Sequence, residues 1–235
     1  MLAWLERGDP FPSVERALKN PNGLLAAGGD LSLERLLEAY RRGIFPWYSS
    51  GQPPLWWSPD PRMVLECAAL KVGRSLSKSL RNKGYEVRVD TAFAEVLRGC
   101  SAPRRDGPGT WLGPDMRAAY ARLHAAGYAH SFETWRDGEL VGGLYGVALG
   151  RMFYGESMFS RETDASKVAL VALVELVQVL RSRGFPLIDC QVHTPLLESL
   201  GAREIPRREF LRALASLVNY PEPPMKWNAK SSVQT

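Results

Sequence analysis

Cysteine is scarce: Cys67, Cys100 and Cys190 are too few and too scattered for a disulfide framework, and no CxxC pair is present to start a zinc site. Histidine is equally rare. His124, His130 and His193 stand alone, none four residues from another, so no structural zinc site is expected, and these six residues are assigned no chemistry. No apolar run approaches the length that crosses a bilayer. The opening MLAWLERGDPF carries an acid at position 6 and no apolar h-region, which argues against a signal peptide. A GxxxxGK[ST] loop, a dinucleotide fingerprint and a GxSxG elbow are all missing, so nucleotide hydrolysis, hydride transfer and that class of serine chemistry lack support. Internal repeats are absent too. These gaps describe a soluble protein of a reducing compartment, most simply the cytoplasm, with no membrane partner.

What is present is a chain of 235 residues, 45% hydrophobic and 23% charged, able to bury a substantial core. Its net charge is +5 and its pI about 9.2. That charge is uneven. Residues 1–60 hold six basic and seven acidic side chains, whereas 62–105 hold ten basic against four acidic. A local excess of this kind points to a polyanionic partner more than a mean pI does.

The first sixty residues read as a small N-terminal domain of short helices and turns, rich in Gly, Pro and Trp. Asp30 is the expected N-cap of a helix through SLERLLEAYRRG, with Gly43 as its stop. IFPWYSSGQPPLWWSPDPR then excludes long regular structure, and the domain junction is placed near Pro59 to Pro61, leaving 61–235 as the larger domain. There the pattern predicts strands over 62–66, 85–90, 128–136, 139–149, 151–159 and 186–192. Asp137-Gly138 marks a hairpin. Helices are predicted over 71–83, 91–100, 115–126, 165–183 and 207–218, with a frayed tail NAKSSVQT. This order gives an α+β fold with a mixed, mostly antiparallel sheet.

Three constellations could carry chemistry. Lys71, Arg74, Lys78 and Arg81 fall on one face of the predicted 71–83 helix, with Val72, Leu76 and Leu80 opposite. No acid interrupts the stripe, which suits a phosphate backbone; the plain alternative is an ordinary solvated face. In LIDCQV, Asp189 and Gln191 share a strand face, and Ile188, Cys190 and Val192 the other. Two polar side chains in an apolar strand either form a structural network or face a cleft. In YGESMF, alternation places Tyr154, Glu156 and Met158 on one face, with the Glu a functional carboxylate, a satisfied core carboxylate or the mark of a bulge. Trp47, Trp56, Trp57 and Trp111 lie in Pro- or Gly-rich loops, where they could line a pocket, stack on bases or join the two domains.

The runs PNGLLAAGGDLS, YRRGIFPW, LWWSPDPR, GTWL, HSFETWRDGELVGGLYGV, YGESMFSR, ASKVAL, LIDCQV and SLGAREIPRREF together resemble the leucyl/phenylalanyl-tRNA–protein transferase family, from about residue 9 to residue 215. The resemblance implies a GNAT-like acyltransferase domain. It implies an enzyme that takes Leu or Phe, and less well Met, from leucyl-, phenylalanyl- or methionyl-tRNA. The acceptor would be the N-terminal Arg or Lys of a protein, marked thereby for the N-degron degradation route. Acetyl-CoA users of that fold carry a Gly-rich turn before the long helix, but SRETDASKVAL here has no glycine, so CoA is not expected, nor is any other cofactor.

By position, Asp189 and Gln191 resemble the family's catalytic pair and Glu156 its acceptor-side carboxylate. Trp47, Trp111, Tyr120, Phe153 and Met158 match its donor side-chain pocket and adenosine site. Leu144 belongs there too, where the family pattern has Met. The basic stripe at Lys71, Arg74, Lys78 and Arg81 would bind tRNA. Two alternatives stay open: transfer to a different amine, and a non-catalytic tRNA- or N-degron-binding module. Nothing in the sequence calls for an obligate dimer, and a monomer is expected.

Overall fold

The computed structural model describes residues 2–102, 112–179, 186–219, 227 and 230–231. The first elements are β1 (Ala3–Leu5), β2 (Leu24–Gly28), α1 (Leu33–Arg41), β3 (Phe45–Pro46) and β4 (Leu55–Trp57). There follow β5 (Arg62–Glu66), α2 (Arg74–Asn82), β6 (Glu86–Val89), α3 (Phe93–Ser101) and α4 (Pro114–Ala125). Next come β7 (Ala129–Arg136), β8 (Glu139–Leu149), β9 (Met152–Ser160), α5 (Ala165–Val179) and β10 (Leu187–Gln191). The chain closes with α6 (Pro195–Ser199), β11 (Arg203–Ile205), α7 (Arg207–Val218) and β12 (Lys230–Ser231).

The first sixty residues are built around a four-stranded sheet, β1-β2-β4-β3, and not around helices and turns alone. Its strands are two to five residues long, too short for alternation to register. Trp56 is a core residue of this sheet, fully buried, edge-on to Phe11, its indole N–H donating to the Gly28 carbonyl. Helix α1 is capped by Ser32, whose hydroxyl accepts from the Arg35 N–H, while Asp30 instead holds the Ser32 N–H. Gly43 stops the helix as expected, at φ +70° and against Leu211 and Phe210, where a side chain would clash.

The second sheet has the order β11-β5-β10-β9-β8-β7-β6-β12. Only β9 and β10 run parallel; every other pair is antiparallel, the mixed and mostly antiparallel sheet the sequence implies. The β7–β8 hairpin turns at Asp137 and Gly138, both at positive φ. From β7 to β10 the strands and α5 follow one another in the order the sequence predicts, which makes the domain α+β. Both sheet faces are covered, so β7, β8 and β10 are buried along most of their length. Helices α2 and α5 cover one face with Leu144, Phe153 and Ile188, and α1, α3, α4 and α7 cover the other with Tyr145, Val147 and Tyr154.

Several boundaries move. Helix α2 begins at Arg74, so Lys71 and Val72 precede it, and Val72 is exposed rather than turned to the core. Gly73 lies at its N-cap, in extended conformation, and the preceding Lys71 N–H is committed to the Leu200 carbonyl. Part of the supposedly frayed tail is ordered, since Lys230 and Ser231 pair with β6. Among the described residues no helix is long and apolar enough to cross a membrane.

Candidate active site

The site begins where two parallel strands part. β9 and β10 pair only from Met152–Leu187 to Tyr154–Asp189, then separate, while β9 stays bonded to β8 along its length. Both strands are irregular at that point. On β9 the register against β8 slips between Gly155 and Ser157, making Glu156 the extra residue of a bulge. The slip reverses the expected parity beyond Glu156. Met158 therefore falls with Leu144 and Phe153 on the α5 side, whereas Glu156 turns to Tyr40 and Tyr120 on the opposite side. On β10 the register slips between Asp189 and Gln191, and Gln191 adopts φ +66°. A left-handed glutamine is strained and is held there by its surroundings.

The holding groups form one buried network. The Arg62 guanidinium grips Asp189 through both nitrogens, Nε to Oδ1 at 2.8 Å and Nη2 to Oδ2 at 2.6 Å. Neither side chain is exposed. Arg62 also donates to the Gly43 carbonyl at 3.2 Å and lies between the rings of Phe45 and Phe210, 4.7 and 4.6 Å from their centroids. Asp189 Oδ1 in turn accepts the main-chain N–H of Gln191 at 2.9 Å. The side-chain amide of Gln191 is held by a different carboxylate: Nε2 donates to Glu156 Oε1 at 3.1 Å. Tyr40 donates to the same oxygen at 2.8 Å, and Tyr120 to Oε2 at 2.6 Å. Tyr154 fixes the end of α1 by donating to the Tyr40 carbonyl.

Burial pushes the Glu156 carboxyl up to about 7, against the pull of the Tyr120 and Tyr40 hydrogen bonds and with the Asp189 charge adding to the rise. Burial beside Glu156 holds the Tyr40 and Tyr120 phenols well above their ordinary value, so both remain donors. With its nitrogen bound to Glu156, the Gln191 amide offers its oxygen as the free acceptor.

This network borders a cleft of about 640 Å³. Trp47, Leu144, Phe153, Glu156, Met158 and Gln191 all line it, so six of the expected site residues meet in one place. On its α5 side Leu144, Phe153, Met158, Leu170 and Ile188 give an apolar wall, beside Asp164, Ser166 and Lys167 at the start of α5, and its other side brings in Phe45, Trp47 and Tyr145. Tyr120 is fully buried behind Glu156 and does not line the cleft. Trp111 lies outside the described residues. Arg74, Lys78 and Arg81 keep their common exposed face on α2, and Lys71 is exposed just before it.

The leucyl/phenylalanyl-tRNA protein transferase family profile matches residues 64–215, and the profile of that family's N-terminal domain matches residues 29–60. The leucyl/phenylalanyl-tRNA–protein transferase of Thiobacillus denitrificans is 65% identical over 221 residues, covering 94% of this chain and 96% of its own. That of Chromobacterium violaceum is 60% identical, covering 97% of each. The chain belongs to the leucyl/phenylalanyl-tRNA–protein transferase family. It is an aminoacyltransferase. Among solved structures, a GCN5-related N-acetyltransferase from Kribbella flavida aligns at 12% identity with a TM-score of 0.36, covering 69% of this chain and 57% of its own.

For a leucyl/phenylalanyl-tRNA–protein transferase, two residues beyond the expected set stand out. Arg62 is a cation inside the apolar run RMVLE, a signal in itself, because a buried Arg needs a buried anion. Tyr40 stands at helical spacing from Leu33, Leu36 and Leu37 in α1, and nothing local in the sequence shows that its hydroxyl reaches Glu156.

Proposed function

We propose that this transferase moves Leu or Phe, and less well Met, from aminoacyl-tRNA to the N-terminal Arg or Lys of acceptor proteins in the cytoplasm, marking them for N-degron degradation. The observation that carries the chemistry is Gln191, locked at its main chain by Asp189 and at its amide nitrogen by Glu156. Its oxygen accepts a hydrogen bond from the acceptor's α-amine and so aims the nitrogen lone pair. An α-amine has a pKa of about 7.7–8.0, so a good share is neutral and nucleophilic near neutral pH. It attacks the ester carbonyl carbon. The C–N bond forms, the ester C–O bond breaks, and the proton lost by nitrogen goes to the departing ribose oxygen, directly or through the neighbouring 2′-hydroxyl. Glutamine is no base, and ester aminolysis needs positioning more than a strong one.

The apolar wall on the α5 side of the cleft receives the donor side chain, and Trp47 on the other side, with Trp111, takes the terminal adenosine. Glu156 serves twice here. It holds the Gln191 amide, and above about pH 7, where its carboxyl is ionised, its charge favours a cationic N-terminal residue. Arg74, Lys78 and Arg81, with Lys71, contact the tRNA body. The discriminating experiment is turnover with leucyl-tRNA and an Arg-starting peptide, beside a Gly-starting control. Transfer to the first alone is expected. Transfer to neither, with tRNA still bound, would leave only a binding module, and transfer to the control as well would remove the basic-residue specificity.

A further inference from the structure

The wall of the cleft that meets the donor side chain is backed by the far end of the polypeptide. Phe153 is fully buried and lines the cleft on its α5 side. One side of its ring lies against Gly146, where a Cβ would come within 2.5 Å of Phe153 Cε1. Trp227 packs on the ring as well, centroids 6.3 Å apart and planes 27° from parallel. Trp227 is not among the residues that line the cleft, and Phe153 is the lining residue whose ring it meets.

The indole is fixed from several directions. It stacks on His130 at 3.7 Å and 4°, and meets Phe132 edge-on at 6.1 Å. Its main-chain N–H donates to Asp90 Oδ2 at 3.1 Å, the oxygen that also takes His130 Nδ1 at 2.8 Å. Three residues further on, Lys230 and Ser231 pair with β6. A wall of an apolar pocket selects by size only to the extent that it cannot yield. Phe153, with Gly146 and Trp227 against it, has little room to recede.

We infer that Trp227 sets how far Phe153 can retreat and thereby determines the size of donor side chain that the cleft accepts, an inference that rests on reading the cleft as the donor site. Trp227 acts through Phe153 and touches no reacting atom. Truncating it opens space behind the ring, which favours the larger donor.

The test compares kcat/KM for phenylalanyl-tRNA and leucyl-tRNA, transferred to an Arg-starting peptide, in wild type, Trp227→Leu, Trp227→Phe and Met158→Ala. The Phe-to-Leu ratio is expected to rise by roughly threefold or more in Trp227→Leu and by less in Trp227→Phe. Should Trp227→Leu fail to fold, Trp227→Phe decides alone: a raised ratio supports the inference and a flat one overturns it. An equal loss on both donors overturns it as well, because a merely structural residue lowers both together. Met158→Ala separates the two levels. If it shifts the ratio while both Trp227 variants do not, the inference fails and the donor cleft stands. If none of the three shifts it, the reading of the cleft as the donor site falls too.

Discussion

At the scale of single residues, the site depends on groups that are costly to bury. Asp189 is fully buried, and Arg62 meets both of its carboxylate oxygens. Removing one partner of such a pair typically costs about 3–5 kcal/mol, so the pair is held together by what its loss would leave behind. Among the described residues no cation pairs with Glu156; three neutral donors hold it instead, and burial pushes its carboxyl up to about 7. The folded protein therefore keeps a proton on Glu156 that the unfolded chain releases. This stabilising contribution is complete below pH 4.5 and is lost as pH rises through 7. Glu156→Gln removes the titration. In denaturant melts, the variant should gain on wild type by up to about 3 kcal/mol between pH 4.5 and pH 8. Parallel pH–stability curves for the two proteins would refute the raised carboxyl.

At the scale of elements, irregularities place the chemistry. The bulge at Glu156 and the left-handed turn at Gln191 let β9 and β10 part and aim both side chains to the same side of the gap. Helix α2 carries the basic stripe and none of its residues lines the cleft, so the two should separate experimentally. Arg74→Ala with Lys78→Ala should weaken charged-tRNA binding and flatten its salt dependence by about two phosphate contacts. A short aminoacyl-adenosine donor should be nearly unaffected; equal damage to both donors would remove the stripe from the tRNA contact. The long strands and the Asp137-Gly138 hairpin were legible because each holds a steady period over many residues. Asp189 and Gln191 were legible as a polar pair on an apolar strand, but the register slips between them, leaving Asp189 buried off the cleft and Gln191 lining it. Asp189 holds the Gln191 main chain and not its side chain, an arrangement that a strand at regular φ does not anticipate. Met158 was assigned the wrong face for a related reason: alternation assumes no bulge. The first sheet escaped notice because β3 is two residues long and β2 is built of Leu, Ala and Gly.

At the scale of the whole molecule, the first sixty residues are part of the site and not an appendage to it. One continuous core contains Leu25 and Trp56 of the first sheet together with Tyr120, Val147 and Phe210. Across it, Tyr40 reaches Glu156 and the Gly43 carbonyl meets Arg62. Unfolding followed by tryptophan fluorescence and by far-ultraviolet dichroism should thus give one coincident transition. A separate early step confined to the first sixty residues would contradict a shared core. All of these contacts converge on the Gln191 amide oxygen, whose aim at the acceptor amine is the central claim. The direct measurement is single-turnover transfer by Gln191→Ala with aminoacyl-tRNA and an Arg-starting peptide both saturating. The account predicts a rate lowered well over tenfold, more than about 1.4 kcal/mol of transition-state stabilisation, with Asp189→Asn similarly slow and the double variant little worse than the slower single. A Gln191→Ala rate close to wild type under those conditions would contradict it.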